Sequence, residues 1–325
     1  MRRLGLALLA LWAAAALLAP CLAPNDPGRQ FEGRAYAPPT SLRVLSAGGL
    51  AAPYFHPSRL VHPLERRYAV DRDARVPLAW FAGGRLVTSG DPAQPLLLFG
   101  ADALGRDLFS RVLYGARTSL ALALLAAALA TLAGAIVGGV AGLAGGAIDG
   151  LLMRLADFVL VLPAIYVLLA LRAALPLVLP APATFAITAG IFVLVGWPMA
   201  ARGVRAIVAA ERERDYVEAA FALGASRRWV LRRHLLPATY GFLRVQLALL
   251  LPAFLLAEAT LSFAGLGFQD DAPSWGTLLQ EAANIGALTS APWVLAPAAA
   301  IFSVVLAVNL AAEGGNRAAS RWWTG

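Results

Sequence analysis

From Thr118 to Ile148 the chain runs 31 residues without a charged side chain, and no other feature limits its fold so tightly. At about 1.5 Å per residue, such a stretch in helical form is long enough to cross the ~30 Å hydrocarbon core of a bilayer. In that medium a spanning segment must satisfy its own backbone, which leaves helices and closed barrels. Five further apolar runs accompany it: Leu4–Leu22, Leu151–Leu171, Thr184–Ala201, Tyr240–Phe263 and Pro292–Ala312. We therefore expect an all-α polytopic membrane protein with six transmembrane helices. Composition agrees, because 14% of the residues are charged whereas soluble domains carry about 25%.

The arginines orient the spans. Arg2 and Arg3 precede the first run. Arg202, Arg205, Arg212, Arg214, Arg227, Arg228, Arg232 and Arg233 lie between the fourth and fifth, and Arg317 and Arg321 follow the sixth. With six crossings these short segments share one side, which the positive-inside rule makes cytoplasmic. Both termini are then expected in the cytoplasm. Residues 25–112 also carry arginines, but a long loop crosses regardless of charge. Its acids (Asp26, Glu32, Glu65, Asp71, Asp73, Asp91, Asp102 and Asp107) largely balance them. A charged start and apolar middle also describe a cleaved signal peptide. No clean small-x-small site follows, and Pro20 and Pro24 crowd the region, so residues 1–24 are read as an uncleaved anchor.

Several function classes are excluded. The 27 basic residues counted as Lys+Arg are all arginine, as codon bias in a GC-rich genome would produce. A phosphate-binding P-loop needs its lysine, so any ATP-driven work must come from a partner. Cys21 is the single cysteine, which rules out an intrachain disulfide; its setting, "LLAPCLAP", is a poor lipoprotein box because of Pro20. His56, His62 and His234 have no ligand spacing, so no metal site is read. No nucleophile, base and orienting group converge at useful spacing, so an enzyme is not expected. The arginines are expected to meet membrane lipid rather than nucleic acid.

In residues 25–112, "RVPLAWFAGGRLVTSG" reads as two short strands about Gly83-Gly84, the core of a small β-containing outer subdomain. "LFGADALGRDLFSRVLYGARTSL" is expected to enter the second span as a helix. Gly134, Gly138, Gly142, Gly146 and Gly150 recur every four residues, one helix face on which a neighbour can approach closely. Packing within the chain is the simpler reading, contact with another subunit the other. Arg154 and Asp157, three apart, are expected to pair. Glu258 lies within the fifth run, where a charge is costly; it either bonds to neighbouring helices or meets a cationic part of a substrate.

The stretch "RERDYVEAAFALGASRRWVLRRHLLP", residues 212–237, keeps a charged helical pattern outside the bilayer. Asp215 is expected to cap a helix with Glu218 in its first turn. Val217, Ala220, Phe221 and Gly224 share one face. Gly224 suits a left-handed stop, Ser226 a second cap, and Pro237 a restart toward the fifth span. Ala219, Ala220 and Gly224 leave a small knob that another protein could enclose. The plainer alternative is that Glu218 only caps and the arginines only set topology and meet anionic lipid.

The spacing Glu218-Ala219-Ala220, Gly224 and His234-Leu235-Leu236-Pro237 resembles the EAA loop of ABC importer permeases. His234 stands where the general pattern has Ile, as the peptide-transporter branch tolerates. "GADALGRDLFSRVLYGARTSL" and "EATLSFAGLGFQDDAPSWGTLL" are similar to two further segments of that branch, with Ala101 for the usual Thr and Gln269-Asp270-Asp271 where Pro is common. The likeness covers roughly Leu98 to the C-terminus plus the first span, and "ERRYAVDRDARVPLAWF" is similar to an insert of some members. It implies the type I ABC importer permease fold, with residues 113–325 as permease domain and the coupling loop at 212–237. It also implies a C-type permease subunit of dipeptide, oligopeptide or nickel systems. Expected partners are a second, B-type permease, two cytoplasmic ATP-binding subunits that bind ATP and magnesium, and an extracytoplasmic substrate-binding protein. The coupling residues would be Asp215, Tyr216, Glu218, Ala219, Ala220, Phe221, Gly224, Ala225, Ser226 and Pro237. No cofactor is expected in the chain itself. A membrane sensor or scaffold is the reading outside this class, but it gives no reason for the EAA spacing.

Overall fold

The computed structural model describes residues 1–46, 49–62, 65–176, 178–269 and 272–320, with side chains at 45, 46, 49–51 and 313–320 left aside. Asp270, Asp271 and Arg321 of the motifs above lie outside the described residues. The chain is mostly helical, and among the described residues four helices are long and apolar enough to cross a membrane: Leu108–Ala144, Ala181–Arg212, Arg227–Phe263 and Pro292–Ala312. A bent pair, Gly146–Val161 with Ala164–Ala173, makes a fifth if it counts as one span. The first apolar run forms α1 (Arg2–Leu17) and, after Leu18, α2 (Ala19–Leu22), so α1 alone is too short for that test.

The chain divides into two compact units. One comprises Met1–Ala121 and Ser262–Ala311, the other Leu122–Leu261 and Ala312–Gly325.

In the first unit, α1 lies against α12 (Ala296–Ser320) at backbone distance, since a Cβ on Gly5 would stand 2.6 Å from the carbonyl oxygen of Ala307. Trp12 donates its indole N–H to Ser303 Oγ at 2.7 Å and meets the Trp275 ring edge-on at 5.0 Å. Trp275 opens α10 (Trp275–Leu279), is fully buried, and donates its indole N–H to the carbonyl of Val112 at 2.9 Å. Ser274 and Thr277 form a reciprocal capping box at that helix start. α11 (Ile285–Ser290) follows, its start capped by Asn284.

Six strands occupy residues 42–89. β1 (Leu42–Ser46), β2 (Gly49–Phe55), β5 (Val76–Trp80) and β6 (Val87–Ser89) form one sheet in that order, and β3 (Ser58–His62) pairs with β4 (Arg67–Val70). The strands flanking Gly83-Gly84 pair antiparallel, Leu78 opposite Ser89 and Trp80 opposite Val87. Phe55, Val76 and Leu96 form their core.

The expected helix over residues 98–107 is absent; α3 (Leu108–Ala144) begins only at Leu108. Gly100 and Gly105 take positive φ, and the Asp102 carboxylate accepts the backbone N–H groups of Leu104 and Arg106, which competes with helix. Asp102 also accepts from Arg106 Nε at 2.6 Å and stands 3.4 Å from Arg111 Nε, all three buried. Asp107 accepts from Asn25 and Ser110, and Glu281 accepts from the backbone N–H of Ala103. Burial, opposed by those bonds, pushes the Asp107 carboxyl up to about 6. Burial and then the charge of Asp102 push Glu281 up to about 7.

The second unit corrects two expectations. Leu151–Leu171 is not one straight helix: α4 (Gly146–Val161) turns by 85° into α5 (Ala164–Ala173). Pro163 lacks an N–H and holds Leu162 extended, at φ −73° and ψ 128°. Asp157 pairs with Arg202 of α6 (Ala181–Arg212) at 2.9 Å, not with Arg154, because α4 packs along α6 and turns that carboxylate toward it. The glycine face divides. Cβ atoms on Gly134, Gly138 and Gly142 would stand 2.3–2.8 Å from α6 atoms. The helix breaks at Gly145, so Gly146 and Gly150 sit on α4 with no heavy atom within 4 Å of an added Cβ. The stripe serves packing within the chain.

Candidate functional site

α6 runs to Arg212, whose Nη1 donates to the carbonyls of Gly142 and Leu143 in the last turn of α3, where a cation suits the helix C-terminus. After Glu213 and Arg214 comes α7 (Asp215–Ala222). Asp215 does not cap it. The cap position is Arg214, without a side-chain bond, and Asp215 is the first helical residue. Asp215 and Glu218 instead place two negative charges in the first turn, where the helix dipole favours them. The Tyr216 hydroxyl donates to Glu211 Oε2 at 2.8 Å, and that bond, followed by partial desolvation, raises the phenol above its ordinary range.

The end of α7 is a Schellman turn. Gly224 takes φ +84°; its N–H bonds the carbonyl of Phe221 and that of Ala225 bonds Ala220. Ser226 Oγ then accepts from the Trp229 N–H at 3.3 Å and starts α8 (Arg227–Val230). Beneath the turn, Val217, Val230 and Leu235 are buried with Val204 and Val208 of α6, and Ala220, Phe221 and Ala225 pack on them. The face shared by Val217, Ala220 and Phe221 is therefore the inner one, and two short helices are fixed to α6 as a knuckle.

Pro237 does not restart the chain. Residues Leu231–Leu235 form one π-turn, Pro237 is the second residue of α9 (Leu236–Phe263), and the chain is helical throughout Arg227–Phe263. The wider turn accommodates a residue that has no N–H and whose ring would clash with the carbonyl four residues back. His234, on this turn, packs between Tyr216 (ring centroids 5.6 Å apart) and Trp229 (5.1 Å) and ties the knuckle to the base of α9.

Outward, Glu218, Ala219 and Ala222 are exposed, and Leu223 is 90% exposed at the tip. Leu223 and Trp229 escaped the sequence reading, which has His234 only as a motif position and not as a ring between Tyr216 and Trp229. The signal lay in Leu223, an apolar residue directly before the helix-stopping glycine, where no buried helix face remains for it. Glu258 is not part of this group. It is 1% exposed within α9, about 33 Å along the helix from Leu236.

The fold is thus that of a helical membrane chain carrying an exposed two-helix knuckle held on α6. The family profile "binding-protein-dependent transport system inner membrane component" matches residues 130–324, and the chain belongs to that family. It is a permease subunit of the ABC importer type. A putative peptide permease protein of Brucella ovis is 36% identical over 217 residues, 66% of this chain and 70% of that protein. The dipeptide transport system permease protein DppC of Bacillus subtilis is 38% identical over 218 residues, 66% of each chain. A solved structure titled as inward-facing conformations of the MetNI methionine ABC transporter aligns with 64% of this chain and 94% of its own, at 19% identity and a TM-score of 0.45.

Proposed function

We propose that this permease conducts di- or oligopeptides, forms half of the translocation pathway beside a second, B-type permease, and is driven through residues 212–237 by two cytoplasmic ATP-binding subunits. Those subunits bind the ATP and magnesium, and an extracytoplasmic binding protein delivers the cargo. The observation that carries the reading is Leu223, which stands 90% exposed on a knuckle whose inner face is buried by Val217. Ala219, Ala222 and Leu223 are all exposed and share one side of the helix end, an apolar strip that serves as a surface for a partner. Glu218, Ala219, Tyr216 and Gly224 are the groups that partner would meet.

In this reading the chain crosses the membrane six times, with both termini cytoplasmic and residues 25–112, strands included, outside. Residues 1–24 are an uncleaved anchor, a role supported by Gly5 against α12 and by Trp12 on Trp275; residues 113–325 form the permease domain. ATP closure of the motor draws the knuckles together and opens the pathway outward, and hydrolysis reverses it, a two-state change driven from outside the chain.

Glu218→Ala and Gly224→Trp test the coupling. A Cβ on Gly224 meets nothing within 4 Å, so tryptophan's bulk projects outward while its backbone takes the strain of positive φ. Uptake should be lost while membrane insertion persists; normal uptake in both variants removes the coupling role. Glu258→Gln tests the pathway. A changed selection among peptides places it beside cargo, and a uniform loss makes it structural.

A further inference from the structure

Outside the knuckle, two ion pairs cross from α6 to α4. Arg205 Nε donates to both carboxylate oxygens of Asp149, at 2.9 and 3.1 Å, and its Nη2 donates to Oδ2 as well. Arg202 Nη1 donates to Asp157 Oδ1 at 2.9 Å. The pairs border a cleft of about 440 Å³ that Met153 also lines. Neither pair is deeply buried, the side chains being 41% and 14% exposed in the first and 56% and 53% in the second. Exposed pairs contribute little stability, so their use lies elsewhere. Asp149 and Asp157 are separated by two helical turns, about 12 Å along α4. Two contacts that far apart fix both the axial position and the rotation of one helix on another. The Asp149 pair adds a directional fork that apolar packing lacks.

The helices so joined have unequal attachments. α6 ends at Arg212, three residues before α7, and is held on its other flank by the Gly134, Gly138 and Gly142 stripe of α3. α4, by contrast, leads into the 85° bend and α5. α6 is thus the rod beside the knuckle, and α4 begins the broken element.

We propose that Asp149–Arg205 and Asp157–Arg202 are positioning pairs that make α4 and the bent α4–α5 element follow α6, so that movement at the knuckle reaches a broken transmembrane segment. This rests on the coupling reading above. The assembled importer in proteoliposomes, with Cys21→Ser, carries Tyr166→Cys on α5 as reporter, since Tyr166 is exposed. Its reaction rate with a membrane-impermeant maleimide is read with and without a non-hydrolysable ATP analogue. The ratio of the two rates should differ from one by about fivefold in the otherwise unaltered chain, fall to about one in Asp149→Arg and in Arg205→Asp, and return in the double swap, since contacting charges couple strongly. Arg205→Lys, which keeps the charge but loses the fork, should lie between. A purely stabilising role would leave the ratio unmoved. An unchanged ratio in the single variants, a swap that fails to restore it, or no nucleotide response in the unaltered chain would overturn the proposal. Cross-linking of a cysteine at Leu223 to the ATP-binding subunits reports separately on the coupling reading. Its persistence in the single variants, with the ratio lost, assigns the effect to the pairs; its absence in the unaltered chain sinks the coupling itself and this transmission with it.

Discussion

The loop around Asp102 and the knuckle around Glu218 are both polar and charged, yet they are built in opposite ways. At Asp102 the carboxylate, Arg106 and Arg111 are all buried and bonded to one another and to the loop backbone. At the knuckle only the apolar underside is buried, and Asp215, Glu218 and Leu223 face outward. A buried charge must be satisfied by its own chain, whereas an exposed charge beside an exposed leucine is a surface another molecule can complete. The first region is therefore closed on itself, and the second leaves charged and apolar groups uncovered.

That contrast can be broken or sharpened, in order of effect on the folded chain. Asp102→Ala removes the carboxylate that pairs with two buried guanidinium groups and should cost about 3–5 kcal/mol, seen as a collapse in the yield of monodisperse protein in detergent. Gly138→Leu forces a side chain into α6, where an added Cβ already stands 2.3 Å from the Ala201 carbonyl oxygen; the expected cost is about 1–3 kcal/mol, read as a lower thermal midpoint.

Glu281 supplies a pH dependence. Its carboxyl is raised to about 7 from an ordinary 4.5, so the folded state favours the protonated form. The stabilisation is full below about 4.5 and is lost as pH rises through about 7. Glu281→Gln should flatten the midpoint across that window, leaving a smaller slope of the same sign from Asp107, raised from 3.8 to about 6. Leu223→Asp should shift the midpoint least, by under about 0.5 kcal/mol, while nearly abolishing cross-linking between the knuckle and the ATP-binding subunits. A large loss of stability there, or unaffected cross-linking, would erase the distinction between the two regions.

Much of the knuckle was legible. Gly224 stops the helix and Ser226 caps the next because those preferences are local: φ > 0 without a Cβ, and a hydroxyl within reach of an N–H three residues on. Asp215 misled because a cap residue and a first-turn residue differ by one position and share a composition. Pro237 misled because a π-turn, which sequence does not announce, carries the helix through it without a restart. The strands β1–β4 went unseen although β1–β2 and β3–β4 are local antiparallel pairs, because β3 and β4 bury almost nothing and so lack the apolar alternation that marks a half-buried strand.

What the sequence determined alone was the solvent and the local punctuation. A run such as 118–148 tolerates only lipid or a protein interior, and glycine, serine and proline act on their neighbours through geometry that needs no other element. Partnership was decided only in three dimensions. Asp157 could have joined Arg154 on its own helix, but the packing of α4 on α6 offered Arg202. Three of the five glycines found a helix to fit, and Gly146 and Gly150 did not. A charge or a small residue states what it needs, and only the packed chain states which neighbour provides it.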